Sequence, residues 1–158
     1  MMITKRELWI KLGRIGFVLT KPGIRLVVKN SRRSRVLITC ANEYLLLQHW
    51  LGDESWMLPG GGLHGREDPL AGAIREVREE LGLQLKPADF TSVGQFKARD
   101  DGFQFSYDLY IVDLPTKPEL QLQRLEILEA RWFRRAGAVP LPACPELAQA
   151  LANWRQAV

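Results

Sequence analysis

The chain has 158 residues, 46% of them hydrophobic and 25% charged, and a formal net charge of +4. This length and balance predict one globular domain with a proper core, and no apolar run approaches the roughly 20 residues that span a bilayer. Cys40 and Cys144 are too few for a disulfide framework, so a reducing, cytoplasmic setting fits best.

Positive charge is concentrated at the N-terminus. Residues 1–35 contain ten Lys or Arg and one Glu, a net +9, whereas the remainder carries −5. We therefore divide the chain into a basic segment, residues 1–22, and a main domain, residues 23–158. Helical spacing in the segment relates Leu8, Trp9, Leu12, Ile15 and Gly16. Such a segment can meet an anionic substrate, nucleic acid or a membrane surface. We favour docking on the domain, or on a second copy in a homodimer.

The first part of the main domain is rich in strand signals. Residues Ile24–Lys29 predict a strand, and Asn30–Ser34 a polar turn. Val36–Thr39 and Tyr44–Gln48 are apolar runs separated by a short polar stretch, which predicts a hairpin. Trp50 ends the second strand of this hairpin, just before the loop Leu51–Trp56. An aromatic ring there can stack on a base or sugar or simply pack on the domain.

A helix is predicted after a glycine-rich loop. Asp68 suits the N-cap and Pro69 the first helical position, where its missing N–H costs nothing. Gly82 suits the C-terminal stop. One apolar stripe, which should pack on a sheet, comprises Leu70, Ala73, Ile74, Val77 and Leu81.

Three carboxylates share another face of this helix. Glu76, Glu79 and Glu80 stand at i, i+3 and i+4, so their like charges repel unless a cation lies among them. Mg2+ with oxygen ligands is a natural counter-ion, and a glycine loop beside a metal site suggests phosphate chemistry. The alternative is a solvated helix face with ordinary ion pairs.

The second part of the domain mixes strands and helices. Ser92–Lys97 and Phe103–Val112 predict another hairpin. Arg131–Phe133 predicts a short strand and Pro145–Trp154 a final helix. This mixture predicts a layered α/β domain.

Residues 61–83 resemble the Nudix box: Gly, five residues, Glu, seven residues, then Arg-Glu-aliphatic-any-Glu-Glu-any-Gly-aliphatic. The fixed positions are filled by Gly61, Glu67, Arg75, Glu76, Val77, Glu79, Glu80, Gly82 and Leu83. Nine specified positions over 23 residues make the match specific, and a looser resemblance extends from about Gly23 to Pro142. The resemblance implies an α/β/α sandwich with a mixed sheet and a catalytic loop-helix-loop.

The resemblance also implies roles for the residues of the box. Glu79 and Glu80 would be the principal metal ligands and Glu76 a third, all three catalytic, with Mg2+ as the cofactor and Mn2+ as a substitute. The remaining matched residues would be structural: Gly61, Glu67, Arg75 and Gly82. For Arg75 we expect a positioning role toward Glu67 or a neighbouring carboxylate.

A further catalytic carboxylate is expected from a later segment. The segment from Glu126 to Phe133 is similar to a family segment that ends in Arg-Trp-Phe, and Glu126 matches the place of an extra ligand or general base. Glu129 is the competing candidate, and both are open to the plainer interpretation of surface acids.

The predicted reaction is hydrolysis of a phosphoanhydride in a small nucleotide or nucleoside diphosphate derivative. Candidate substrate-binding residues are Trp50, Arg99, Phe103 and Tyr107. One alternative is removal of pyrophosphate from RNA 5′ ends, suggested by the basic segment. Another is a non-catalytic ligand-sensing module of the same fold; such modules often lose box carboxylates, and this chain keeps all three.

Overall fold

The computed structural model describes residues 31–50, 55–100 and 103–156. Its elements are β1 (Arg32–Cys40), β2 (Glu43–His49), β3 (Trp56–Met57), α1 (Pro69–Leu81), a 3-10 turn (Pro87–Asp89), β4 (Thr91–Asp100), β5 (Phe103–Asp113), β6 (Ile127–Arg134) and α2 (Glu146–Gln156). The basic segment of residues 1–22 and the strand predicted over Ile24–Lys29 lie outside the described residues, so both stay predictions.

Six strands form one mixed sheet. The order is β3-β2-β1-β5-β4, and β6 pairs with β2 outside this path. β1 and β5 run parallel, with Arg33 opposite Tyr107 and Leu37 opposite Ile111. The other strand pairs are antiparallel, including the two predicted hairpins, β1–β2 and β4–β5. The mixed sheet of the predicted α/β class is therefore confirmed.

One helix covers each face of the sheet. Side chains alternate between the faces of a strand, so β1 contributes Val36 and Ile38 to one core and Leu37 to the other. Val77 of α1 packs in the first core, and Leu147 of α2 packs in the second. The expected α/β/α sandwich is therefore confirmed. Neither of these helices, nor any other in the described ranges, has the length and apolar character required to cross a membrane.

The ends of α1 follow the predicted signals. Asp68 Oδ1 accepts hydrogen bonds from the N–H groups of Leu70, at 3.0 Å, and Ala71, at 3.1 Å. At the other end Gly82 adopts φ 72°, and a Cβ built there would lie 2.7 Å from Cβ of Gln121. Both the backbone conformation and the close neighbour explain why glycine ends this helix.

The strand boundaries that differ most from the sequence-based prediction belong to β1 and β6. The turn predicted over Asn30–Ser34 is wrong for its later residues, because β1 already begins at Arg32 and pairs with β5 from there. The polar residues of this stretch suggested a turn, but tertiary pairing places them in a strand. β6 likewise extends over Ile127–Arg134, beyond the predicted Arg131–Phe133, because β2 pairs along its length.

Replacement of Asp68 tests the N-cap of α1. Asp68→Ala removes the acceptor for two backbone N–H groups and should lower the free energy of unfolding by about 1 kcal/mol. Asp68→Asn, which keeps a capping oxygen, should stay close to the wild type. Urea denaturation of the three proteins measures the difference. Equal midpoints for Asp68→Ala and the wild type would show that the cap adds no stability.

Candidate active site

The glycine-rich loop before α1 is fastened along β1. Val36 N–H donates to the Pro59 carbonyl at 2.9 Å, and Ser34 N–H donates to the Gly61 carbonyl at 3.0 Å. Leu63 N–H completes the series by donating to the carbonyl of Arg32 at 3.0 Å. These bonds hold residues 59–63 beside β1 much as an added strand would be held.

Two glycines of the loop are required for different reasons. Gly60 adopts φ +122°, and a Cβ there would lie 2.3 Å from the Ser34 carbonyl oxygen, so the backbones are too close for a side chain. A Cβ at Gly61 would lie 2.4 Å from Oε1 of Glu76. The second glycine therefore lets a helix carboxylate approach the loop backbone.

Arg75 joins the loop to the carboxylate face of α1. Its Nε and Nη2 donate to the two oxygens of Glu67 at 2.9 and 3.0 Å. Nη1 donates to Glu76 at 2.8 Å and Glu79 at 3.2 Å, and Nη2 also reaches the Gly62 carbonyl at 3.1 Å. The predicted contact between Arg75 and Glu67 is present, and one guanidinium ties together three carboxylates and the loop.

This network changes the acidity of its members. Hydrogen bonds from Arg75 and from the His64 N–H lower the pKa of Glu67 to about 2. Hydrogen bonding to Glu67 raises the pKa of Arg75. Both groups therefore stay charged at neutral pH, and the pair holds the loop against the helix.

Glu80 faces inward, in contrast to the exposed Glu79. It is only 2% exposed, although we expected the acidic face of α1 to point well away from the packed face. Its Oε2 accepts the Gly60 N–H at 2.9 Å, and its Oε1 lies 3.5 Å from Nε2 of His49. Burial raises the pKa of Glu80 to about 8, and the nearby charges of Glu76 and Glu126 act in the same direction.

His49 does not supply a positive charge beside Glu80. Burial and the charge of Arg35 both lower the pKa of His49, so its imidazole is neutral at pH 7. The contact between His49 and Glu80 is then a contact between a neutral ring and a carboxyl group. Glu80 thus remains a buried acid that would gain from a cation.

A buried ion pair, which the sequence analysis missed, lies behind the loop. Arg35 Nε donates to Glu146 Oε1 at 2.8 Å, and Arg35 Nη1 donates to the Gly60 carbonyl at 2.7 Å. Both side chains are at most 2% exposed. Burial opposes the charge on each group, but their mutual attraction prevails, since the pKa of Arg35 is raised and that of Glu146 lowered. The available signal was one arginine next to the apolar run Val36–Cys40.

The two acidic candidates after the box, Glu126 and Glu129, differ in their contacts. Glu126 is exposed, and its negative charge contributes to the raised pKa of Glu80. Its backbone carbonyl accepts the Trp50 N–H at 3.1 Å, and Trp50 Nε1 donates to the Leu125 carbonyl. Glu129 is instead bonded by Nε of Arg131 at 2.9 Å. The structure therefore brings Trp50 and Glu126 together near Glu80.

The remaining substrate-binding candidates are not grouped with Trp50. Tyr107 is 2% exposed and packs against Phe96 and Phe105, so its ring belongs to the core. Burial raises the pKa of Tyr107 to about 12. Arg99 is exposed one residue before the end of β4, and Phe103 begins β5.

The donors around Arg75 and Glu80 fit a divalent cation. Glu76 and Glu79 turn toward Arg75 and Glu80 toward Gly60, and in the described part of the chain no three His, Cys, Asp or Glu side chains converge on one point. The donor chemistry nevertheless suits a hard divalent cation, because the available ligands are carboxylate oxygens. Three carboxylates, those of Glu67, Glu76 and Glu79, share Arg75, which leaves an excess of negative charge.

Comparison with known proteins finds named relatives that align with half or more of this chain. Nudix hydrolase 10 from Arabidopsis thaliana is 36% identical over 85 residues, which cover 52% of this chain and 30% of that protein. Diphosphoinositol polyphosphate phosphohydrolase 3-alpha from Homo sapiens is 27% identical over 120 residues, 75% of this chain and 66% of that protein. The chain thus spans only part of the length of these relatives.

A solved structure and a family model both match most of this chain. The crystal structure of a MutT NUDIX hydrolase from Burkholderia pseudomallei aligns with a TM-score of 0.69 at 21% identity, and covers 79% of this chain and 98% of that one. The NUDIX domain family model matches residues 20–154, which is most of the chain. The protein therefore belongs to the Nudix family.

Proposed function

We propose that the protein is a Mg2+-dependent hydrolase that cleaves a phosphoanhydride bond in a small nucleotide or nucleoside diphosphate derivative. The observation that carries this proposal is the excess of carboxylates around a single arginine, with Glu80 buried beside the glycine loop. Such a site attracts divalent cations, and phosphoanhydrides are substrates whose charge divalent cations neutralise.

Different side chains have different roles in the proposed reaction. Glu79 and Glu80 would hold the metal, with Glu76 as a third ligand, and Mn2+ could replace Mg2+. When bound, a divalent cation neutralises phosphate charge and lowers the pKa of a bound water. Arg75 keeps Glu76 next to Gly61 through its hydrogen bond. Glu126 is exposed near Glu80, and there it can accept the proton of the attacking water.

Trp50 is the substrate contact that the structure supports best. Both its backbone N–H and its indole N–H are bonded to residues 125 and 126, so the ring is held next to Glu126. An indole in this position can stack on a planar group of the substrate. Arg99 and Phe103 stay open as contacts, whereas the burial of Tyr107 argues for a packing role. The Homo sapiens relative is named for diphosphoinositol polyphosphate, so that substrate class belongs in the first screen.

Replacement of the principal ligands should abolish turnover. Glu79→Gln and Glu80→Gln keep the size of the side chain but remove its charge, and each should lower kcat/KM by about 100-fold or more. Glu119→Gln, which neutralises an exposed acid of a later loop, is the matched control. Mass spectrometry of products from nucleotides, dinucleotides, nucleotide sugars and diphosphoinositol phosphates gives the rates. Full activity in both ligand variants would reject this site.

Metal binding should also appear as thermal stabilisation. A ligand that binds only the folded state adds about 2.7 kcal/mol at 100 times its dissociation constant, so Mg2+ or Mn2+ should raise Tm by several degrees. The double variant Glu79→Gln/Glu80→Gln should lose this increase, and EDTA should reverse it in the wild type. Differential scanning calorimetry measures the shift. An equal shift in the double variant would mean that the stabilising ion binds elsewhere.

Kinetic measurements can distinguish the roles of Glu126 and Glu129. If Glu126 accepts the proton of water, Glu126→Gln should lower kcat by about 10²- to 10⁴-fold with a small change in KM. Glu129→Gln should have a much smaller effect, since Glu129 is bonded by Arg131. Steady-state assays over a range of pH measure both variants. A larger loss for Glu129→Gln would exchange the two assignments.

A further inference from the structure

Three hydrogen bonds connect the two helices through the glycine loop. Glu146, the first residue of α2, accepts from Arg35 Nε at 2.8 Å, and Arg35 Nη1 donates to the Gly60 carbonyl at 2.7 Å. The N–H of Gly60 then donates to Glu80 Oε2 at 2.9 Å. The connection therefore runs from the core beneath α2 to a carboxylate of α1.

Stability alone does not account for this buried pair. Taking two charges out of water is costly, and apolar residues of similar volume often stabilise a core as well or better. The pair is also incompletely bonded, because Oε2 of Glu146 is buried without a hydrogen-bond partner among the described residues. What the pair provides, and an apolar pair would not, is a donor at the Gly60 carbonyl.

The backbone of Gly60 needs such a contact. Glycine has no side chain that packing could hold, and this one adopts a backbone conformation, φ +122°, that other residues rarely adopt. Its orientation is then determined by its neighbours and its hydrogen bonds. Arginine suits this task, because its planar fork holds two acceptors at fixed positions, here Glu146 and the Gly60 carbonyl.

We propose that Arg35 and Glu146 are positioning residues that hold the backbone of Gly60 and thereby place the Glu80 carboxylate for metal binding. The consequence for metal binding rests on the proposed metal-dependent hydrolysis. The effect on Gly60 itself concerns the metal-free chain and can be tested without that function. Neither residue needs to touch substrate or metal. Their effect passes through the Gly60 N–H, which is bonded to Glu80, and through the adjacent Gly61, which lies against Glu76.

The double variant Arg35→Met/Glu146→Leu tests the proposal. It replaces the ion pair with an apolar pair, so the fold should persist while the donor at the Gly60 carbonyl is lost. The matched control is Lys117→Met/Glu43→Leu, which removes a partly exposed ion pair between Glu43 of β2 and Lys117. Two readouts apply to each folded variant: NMR amide hydrogen exchange of Gly60 without metal, and Mn2+ affinity by electron paramagnetic resonance.

In the double variant we expect exchange of the Gly60 amide to be about tenfold faster and exchange of the Val36–Ile38 amides unchanged. We expect Mn2+ affinity to fall by about 10- to 100-fold, the usual effect of removing a group that orients a ligand. The control should match the wild type in both readouts. Unchanged exchange of Gly60, or unchanged Mn2+ affinity in a folded double variant, would overturn the proposal.

A second comparison covers the case in which the double variant does not fold. Glu146→Gln keeps an oxygen that accepts from Arg35 Nε, whereas Glu146→Leu removes it, and both changes remove the same charge. Exchange of Gly60 should therefore be slower in Glu146→Gln than in Glu146→Leu, and equal rates would overturn the proposal. Wild-type protein without Mn2+ binding or hydrolysis would instead reject the proposed function, while the exchange comparison would still decide the positioning role.

Discussion

The backbone of Gly60 is the constraint on which the site depends. Its carbonyl is bonded by Arg35 and its N–H by Glu80, so two buried side chains from opposite sides of the sheet meet on one backbone unit. A side chain at this position is excluded by the Ser34 carbonyl, and one at Gly61 would displace the Glu76 carboxylate. The loop therefore follows a single path along β1, and the helix carboxylates are placed relative to that path.

Charge balance explains why this arrangement favours metal chemistry. Arg75 is shared by Glu67, Glu76 and Glu79, and it neutralises at most one of these three charges. Glu80 lies on the inward side of the same helix, where burial raises its pKa to about 8. A fold that needed only stability would gain by replacing such a buried acid with an apolar residue. Retention of the acid is understandable if a cation completes the site.

Local patterns allowed the helix and both hairpins to be predicted, because their signals lie within a few residues of each element. Asp68, Pro69 and Gly82 define the ends of α1 by their own backbone chemistry. Nonlocal contacts could not be predicted in this way. The strand conformation of Arg32 depends on pairing with β5, and the partner of Arg35 lies 111 residues later in the sequence. The inward position of Glu80 likewise depends on the loop that packs against it.

The same distinction applies to substrate choice. Glu76 and Glu79 are placed through contacts that are close in sequence, because both are bonded by Arg75, which is itself bonded to Glu67 only eight residues away. Trp50 and Glu126 are brought together instead by two hydrogen bonds that join segments far apart in sequence. Because Trp50 is fastened to the backbone that carries Glu126, a change in one segment would move both a candidate substrate contact and a candidate base. If Trp50 and Glu126 have the proposed roles, substrate choice and proton transfer are structurally coupled. The same segment is also fastened to α1, because the Gln123 N–H donates to the Glu80 carbonyl at 3.1 Å and the Glu126 N–H donates to the Gln123 carbonyl at 3.0 Å.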